Sequence, residues 1–253
     1  MVAGKDLVLN DYDYAIEGGG YIASDDPRSI GARFLNTLND LGQNDPIFSN
    51  WLLTDTVKLK QVKLAAVRDN IAALVENNVN RDDDDQPDPD EGYYMCAFNS
   101  PVGGPRTVSF SVVAGRRTVQ TFDLQFGRQR EGVDASLVNY PLFKAALLTI
   151  VANNPCEWAT ATGFKIKLRH VPDGPAIRVE TESFHRLTWL AYLTADRTKG
   201  LELPPDMVTE RTPDGGLLMI AAQERPDPSN VAQMKRADLL TTIMAERGRD
   251  PHQ

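Results

Sequence analysis

The segment Met207–Ala222 reads MVTERTPDGGLLMIAA and contains the clearest fold signal in the chain. Asp214-Gly215-Gly216 supplies residues that tolerate positive φ angles, so the chain is predicted to reverse there in a hairpin. The arm before the turn is short and polar, whereas Leu217–Ala222 is a continuous apolar run, which is typical of a strand covered on both faces. Because a two-stranded hairpin is marginally stable alone, we expect these strands to belong to a larger sheet.

Hydrophobic periodicity outside this hairpin predicts further helices and strands. The predicted helices are a first one opened by Asp26-Pro27 and stopped by Gly42, then Val57–Asn77, Ala135–Asn153 (with Pro141 kinking it or moving its start) and Asp227–Arg247. The predicted strands are Leu7–Leu9, Gly92–Asn99, Arg106–Ala114, Thr118–Phe126, the pair Pro155–Thr162 and Phe164–His170, and Leu187–Leu193. Gly18-Gly19-Gly20 is predicted to be a turn.

The order of these elements predicts the fold class. Strands and helices are mixed without regular βαβ alternation, which indicates an α+β fold with a mainly antiparallel β-sheet packed against several α-helices. We expect residues 1–253 to form one domain, with two possible sub-lobes, 1–81 mostly helical and 92–253 α+β, joined by the segment 82–91. Phe48, Trp51 and Trp189 are either core residues or aromatic anchors for a partner, and core packing is the preferred interpretation.

Composition narrows the classes of function. The formal net charge of −8 and the pI near 5.0 disfavour nucleic acid as a direct ligand. With two cysteines, no CxxC pattern, no basic-then-apolar leader and no apolar run near 20 residues, the chain is expected in the cytoplasm and off the membrane. No metal or cofactor motif is present: the glycine-rich stretches lack phosphate-loop spacing, and each lysine has a non-acidic residue two positions before it, which excludes a restriction-type nuclease site.

Three histidines, His170, His185 and His252, limit the possible chemistry. A dyad of Cys156 with His170 would need an activated thiol, and no neighbouring residue of Cys156 indicates one. A small hydrolase or metal enzyme using His170, His185, Glu180 and Glu182 stays open as an alternative, although structural or solvent-exposed histidines are the more common outcome of such a pattern. We therefore expect no catalytic residues.

The sharpest change of composition is Asp82–Glu91, which reads DDDDQPDPDE. Like charges at this density repel one another and resist packing, so the segment is predicted to be an exposed loop. Two interpretations stay open: a phosphate mimic that docks on the basic DNA-binding surface of a nuclease, or a solvated loop without function. The candidate partner-binding residues are Asp82, Asp83, Asp84, Asp85, Asp88, Asp90, Glu91 and the following Tyr93.

The chain resembles the immunity protein 52 family from about Leu35 to Leu240. The resemblance rests on Asn44–Trp51, Gly92-Tyr93, Thr188–Leu193, Leu203-Pro204-Pro205, Pro213–Ala222 and Glu224–Asn230. One departure is visible at the entry to the last helix, where Ser229-Asn230-Val231-Ala232 stands in place of the Asn-Pro and histidine that family members tend to carry.

The resemblance implies a bacterial immunity protein of the polymorphic-toxin type. Such a protein binds a cognate secreted nuclease toxin with a restriction-endonuclease-like domain, often delivered by type VI secretion, and neutralises it in the cytoplasm without catalysis. Its partner would be that toxin and neither nucleic acid nor membrane. The alternative from another class, besides the hydrolase, is a secretion chaperone or adaptor for a type VI effector.

Overall fold

The computed structural model describes residues 8–9, 12–21, 25–55, 60–116, 119–127, 132–169, 177–180, 186–227 and 229–248. The strands in this part of the chain are β1 Val8–Leu9, β2 Tyr12–Tyr21, β3 Leu52–Asp55, β4 Lys60–Lys63, β5 Tyr93–Phe98, β6 Val108–Ala114, β7 Val119–Phe126, β8 Val133–Asp134, β9 Trp158–Arg169, β10 Ile177–Glu180, β11 Arg186–Leu193, β12 Val208–Arg211 and β13 Leu217–Ile220. The α-helices are α1 Pro27–Asn44, α2 Leu64–Val67, α3 Ile71–Asn77, α4 Tyr140–Asn153 and α5 Val231–Arg247.

Eleven of these strands form one antiparallel sheet. Its order is β12-β13-β11-β9-β2-β7-β6-β5-β3-β4, and β10 pairs with the far half of β9. β1 and β8 form a separate antiparallel pair. The α+β fold with a mainly antiparallel sheet is therefore confirmed. Strands from both predicted sub-lobes lie in the same sheet, because β3 and β4 extend the edge formed by β5.

Helices α1, α3 and α4 cover one face of the sheet along much of its width. We call it the first face, and the cluster of side chains buried there the first core. Phe34 of α1 stacks on Phe110 of β6 with ring centroids 5.5 Å apart, and Phe143 of α4 stacks on Phe126 of β7 at 4.4 Å. Helix α3 packs against α1 and β5. Large buried side chains dominate this core, and burying each of them stabilises the fold by roughly 1.5–3 kcal/mol.

Helix α5 packs on the opposite, second face at the β11–β13 end. Ala237, Leu240 and Ile243 of α5 join Ala191 and Met219 of the sheet in a second buried cluster. The apolar strand of the predicted hairpin lies at this end of the sheet and is buried on both faces. Strands β12 and β13 pair as expected, and all four residues of β13 are buried, Leu218 and Ile220 in the first core, Leu217 and Met219 in the second.

The Gly18-Gly19-Gly20 run is a central strand segment, so the predicted turn is wrong. These residues lie in β2, between β7 and β9, and none has a positive φ angle. A Cβ atom on Gly18 would lie 2.2 Å from the Phe122 ring, and one on Gly20 would lie 2.1 Å from the carbonyl oxygen of Pro155. The glycines are therefore required by close packing, since no side chain fits between these neighbours.

The predicted helix Val57–Asn77 is also wrong in its first half. Lys60–Lys63 forms the edge strand β4 against β3, and the helical part is a single turn, α2, a 3-10 turn and the short α3. Pairing of Leu53 with Val62 places an apolar residue opposite a buried one, while Lys60 and Lys63 stay in solvent. Tertiary pairing has overridden a helical pattern of lysines and apolar residues, and lysines on an edge strand also discourage unwanted strand addition.

The bounds of four predicted elements need correction. The predicted strands Pro155–Thr162 and Phe164–His170 are joined in the single strand β9, Trp158–Arg169, because Gly163 continues the ladder opposite Tyr14 and Leu187. Helix α1 passes through Gly42 to Asn44, although its N-terminal cap at Asp26 is confirmed. Pro141 lies in the first turn of α4 and sets its start, and α5 is capped by Asn230 rather than Asp227.

Candidate partner-binding surface

The acidic segment Asp82–Glu91 forms an exposed loop between α3 and β5, as the composition predicts. It has a defined backbone. The Asp82 carboxylate accepts hydrogen bonds from the backbone N–H groups of Asp84 at 3.0 Å and Gln86 at 2.8 Å. The Asp88 carboxylate accepts one from the N–H of Asp90 at 3.0 Å. Two of the acidic side chains therefore fold the loop, in the manner of local Asx turns.

Arginines at the base of this loop neutralise part of its charge. Arg81 lies 3.8 Å from Asp85, and Arg116 lies 3.9 Å from Glu91, to whose carbonyl oxygen it also donates a hydrogen bond of 3.0 Å. The carboxylates of Asp83 and Asp84 have no hydrogen bond or ion pair with any residue that the structure describes. The tip of the loop consequently presents uncompensated negative charge to solvent.

Tyr93, the last candidate from the sequence, points away from this charge. It is half-buried against the first core, and its ring packs on Gly115. Strand alternation turns the next residue to the second face, where Tyr94 is 39% exposed. Sequence reasoning missed Tyr94, although the buried Met95 and Ala97 on the inner face give the signal that Tyr94 faces outward.

The second face of β5, β6, β7 and β2 is left uncovered by α5. We call this area the open half-face. Its residues are Tyr94, Cys96, Phe98, Ser109, Ser111, Val113, Val119, Thr121, Asp123, Gln125, Ala15, Glu17, Gly19 and Tyr21. The strand register aligns Cys96, Ser111, Asp123 and Glu17 in one row across four strands.

Asp123 is a partly buried carboxylate in β7, in the middle of the open half-face. Burial, followed by the nearby charge of Glu17, raises the pKa of Asp123 to about 7. Its Oδ2 accepts a hydrogen bond of 2.5 Å from Gln125, whereas its Oδ1 is buried and has no partner within the described residues. Burial also raises the pKa of Tyr94 to about 12 and that of the Cys96 thiol. A half-buried carboxylate without a counter-charge is costly unless a cation reaches it.

The remaining candidates from the sequence are buried or lie outside the description. Phe48, Trp51 and Trp189 are core residues, so the preferred core interpretation is confirmed. The Cys156 thiol is buried, donates to the carbonyl oxygen of Trp158 at 2.9 Å, and has a pKa raised by burial. His170, His185, His252 and Glu182 lie outside the described residues, as does the side chain of Glu180 in β10.

Two kinds of feature are absent from the described residues. Their His, Cys, Asp and Glu side chains include no group of three or more placed to hold a metal ion. No helix among them combines the length and apolar character required to cross a bilayer.

Comparison with known proteins gives a likeness of fold. No family model matches the chain. No curated protein matches it either. Among solved structures, the chain is similar to the Pseudomonas aeruginosa T6SS protein PA0821, with a TM-score of 0.53 and 11% sequence identity over 98% of this chain and 76% of that one. At this identity the likeness concerns the fold.

Proposed function

We propose that this protein is a T6SS immunity protein that binds a cognate secreted nuclease toxin with a restriction-endonuclease-like domain. It acts in the cytoplasm of the producing bacterium and neutralises the toxin stoichiometrically, without catalysis. The observation that carries the proposal is the likeness of nearly the whole chain to a T6SS protein. The ordered series of motifs that resembles the immunity protein 52 family supports the immunity role.

The acidic loop provides a physical route to toxin recognition. A nuclease holds DNA with a basic surface, and the loop tip at Asp83 and Asp84 presents carboxylates that no described residue neutralises. Such a charge would speed the encounter with a basic partner and compete with phosphates for the same surface. The turns held by Asp82 and Asp88 lower the entropy lost on binding, because the loop is already ordered.

Co-expression with any candidate nuclease toxin gene found beside this chain's gene tests the proposal. We expect the unmodified protein to restore growth of cells that express the toxin and to form a stable complex of fixed stoichiometry with it. A chaperone would form the complex without restoring growth. Restoration at amounts of protein far below those of the toxin would indicate catalysis and would contradict stoichiometric neutralisation.

A further inference from the structure

A pocket of about 430 Å³ opens beside helix α1, at the edge of the sheet formed by β3 and β4. Its walls come from three parts of the chain, which are α1, the segment from Phe48 to Leu52, and the segment from Lys63 to Arg68 that contains α2. Cavities that bind small molecules in proteins commonly enclose about 300–1,000 Å³. The pocket therefore has the size of a small-molecule site, and it shares no residue with the acidic loop or the open half-face.

Apolar side chains form one part of the pocket wall. Leu38 of α1 and Phe48 are almost fully buried, and Trp51 is 3% exposed, with its ring stacked on that of Phe48 at a centroid distance of 6.4 Å. Leu64 is half-buried, and its N–H donates to the carbonyl oxygen of Trp51 at 3.0 Å. This hydrogen bond ties two of the three wall segments together, so the pocket is formed before a ligand arrives and little order has to be gained on binding.

The polar part of the wall is positively charged. Lys63 and Arg68 line the pocket, and its described lining residues include neither aspartate nor glutamate, although the chain carries a net charge of −8. Neither cation forms an ion pair with a residue that the structure describes. Arg68 donates from Nη2 to the side-chain oxygen of Asn39 at 2.8 Å, and this neutral acceptor leaves the charge of the guanidinium group uncompensated. The pocket therefore favours an anion.

Trp51 adds an unused hydrogen-bond donor to this wall. Its indole Nε1–H is buried and has no partner among the described residues. A buried donor without an acceptor destabilises the fold, so a small shift of the ring toward an acceptor in the pocket would be favourable. Because Trp51 is part of the pocket wall, the NMR signal of this N–H also reports on what occupies the pocket.

We propose that this pocket binds a small organic acid, in which a carboxylate is carried on an apolar body. The apolar body lies against Leu38, Phe48 and Leu64, where it leaves water. The carboxylate lies at Lys63 and Arg68, and the planar guanidinium group can donate to both of its oxygens. Inorganic phosphate matches only the charge of the site, since it has no apolar surface to bury. This inference goes beyond the proposed function and does not rest on it.

Titration with 4-phenylbutyrate, followed by calorimetry and by the indole N–H signals in NMR spectra, tests the assignment. We expect a Kd of about 1 mM, as for other ligands of this size, and roughly fivefold weaker binding of the neutral isostere 4-phenylbutyramide. The indole signal of Trp51, identified by its loss in Trp51→Phe, should move on titration. The signals of Trp158 and Trp189 should stay in place, because neither residue lines the pocket.

Two neighbouring alanines of α2 provide a matched pair of variants. Ala65 and Ala66 are both exposed, and of the two only Ala65 lines the pocket. Ala65→Glu adds a carboxylate to the pocket wall and should raise the Kd of 4-phenylbutyrate roughly fivefold by repulsion, whereas Ala66→Glu should change it less than about twofold. Arg68→Gln should also raise the Kd, with Arg225→Gln, an exposed arginine outside the pocket, as its control. Thermal unfolding of each variant shows that the fold persists.

Four results would overturn the assignment. The first is the absence of binding of 4-phenylbutyrate, and the second is equal affinity for the acid and its amide. The third is a probe that binds elsewhere, shown by an unmoved Trp51 signal or by equal losses in Ala65→Glu and Ala66→Glu. The fourth is tighter binding of the acetylated and amidated tripeptide leucyl-glutamyl-leucine, which would assign the pocket to an acidic side chain of a partner protein. No toxin enters these measurements, so they do not depend on the outcome for the proposed function.

Discussion

At the scale of single residues, Gly20 shows that a glycine can be required by the close approach of neighbouring backbone rather than by a need for backbone flexibility. A Cβ atom there would meet the backbone of Pro155 and Glu157, and neither can move as a flexible side chain would. We expect Gly20→Ala to lower the free energy of unfolding by roughly 2–4 kcal/mol in urea titrations. Gly200→Ala is the control. Its Cβ meets no atom within 4 Å, so it should cost only about 1 kcal/mol for its positive φ of 67°. Equal losses would contradict the packing explanation.

Asp123 should make the protein less stable as pH rises. Its pKa is about 7 in the folded protein, against 3.8 for an ordinary aspartate, so between these pH values the folded state binds a proton that the unfolded state does not. Stability is therefore lost from pH 4 to pH 7 and stays low above. Asp123→Asn should raise the free energy of unfolding by roughly 1–3 kcal/mol at pH 8 and hardly at all at pH 4. The exposed Asp83→Asn serves as control, and a gain independent of pH would refute the mechanism.

At the scale of elements, patterns with a strong local cause were predictable, and those with a distant cause were not. The meander β5–β6–β7 and the β12–β13 hairpin follow from alternation and turn residues close in sequence. Strand β4 forms because it pairs with β3. Strand β2 contains three glycines because Phe122 and Pro155 pack closely against it. Neither neighbour is visible in a short window of sequence.

The start of α5 illustrates how a cap is decided between two similar candidates. Asp227 closes its own turn onto Ser229, while the Asn230 side chain accepts from the N–H groups of Ala232 and Gln233 at 3.2 Å. We expect Asn230→Ala to lower the thermal midpoint by an amount corresponding to about 1 kcal/mol, and Asn230→Asp to retain stability. If Asp227→Ala proved the more damaging change, the capping assignment would be wrong.

At the scale of the whole molecule, the sequence alone predicts the acidic loop but not the open half-face. The acidic loop is contiguous and its composition alone predicts exposure. The open half-face joins β2 to β5, β6 and β7, which are roughly 75–105 positions later in the chain, and the register of four strands decides that Asp123 meets Glu17. Such a surface cannot be derived without the sheet order, although the alternation within β5 is enough to indicate that Tyr94 faces outward.

The acidic loop should affect the association rate of toxin binding more than the dissociation rate. Asp83→Asn combined with Asp84→Asn removes charge without disturbing the hydrogen bonds that shape the loop, so association should slow several-fold at low salt and little at high salt. Surface plasmon resonance at two salt concentrations measures both rates, with Asp196→Asn and Glu202→Gln together as the charge-matched control on another exposed segment. Faster dissociation from the loop variant, with unchanged association, would mean that the loop contacts the toxin instead of steering it.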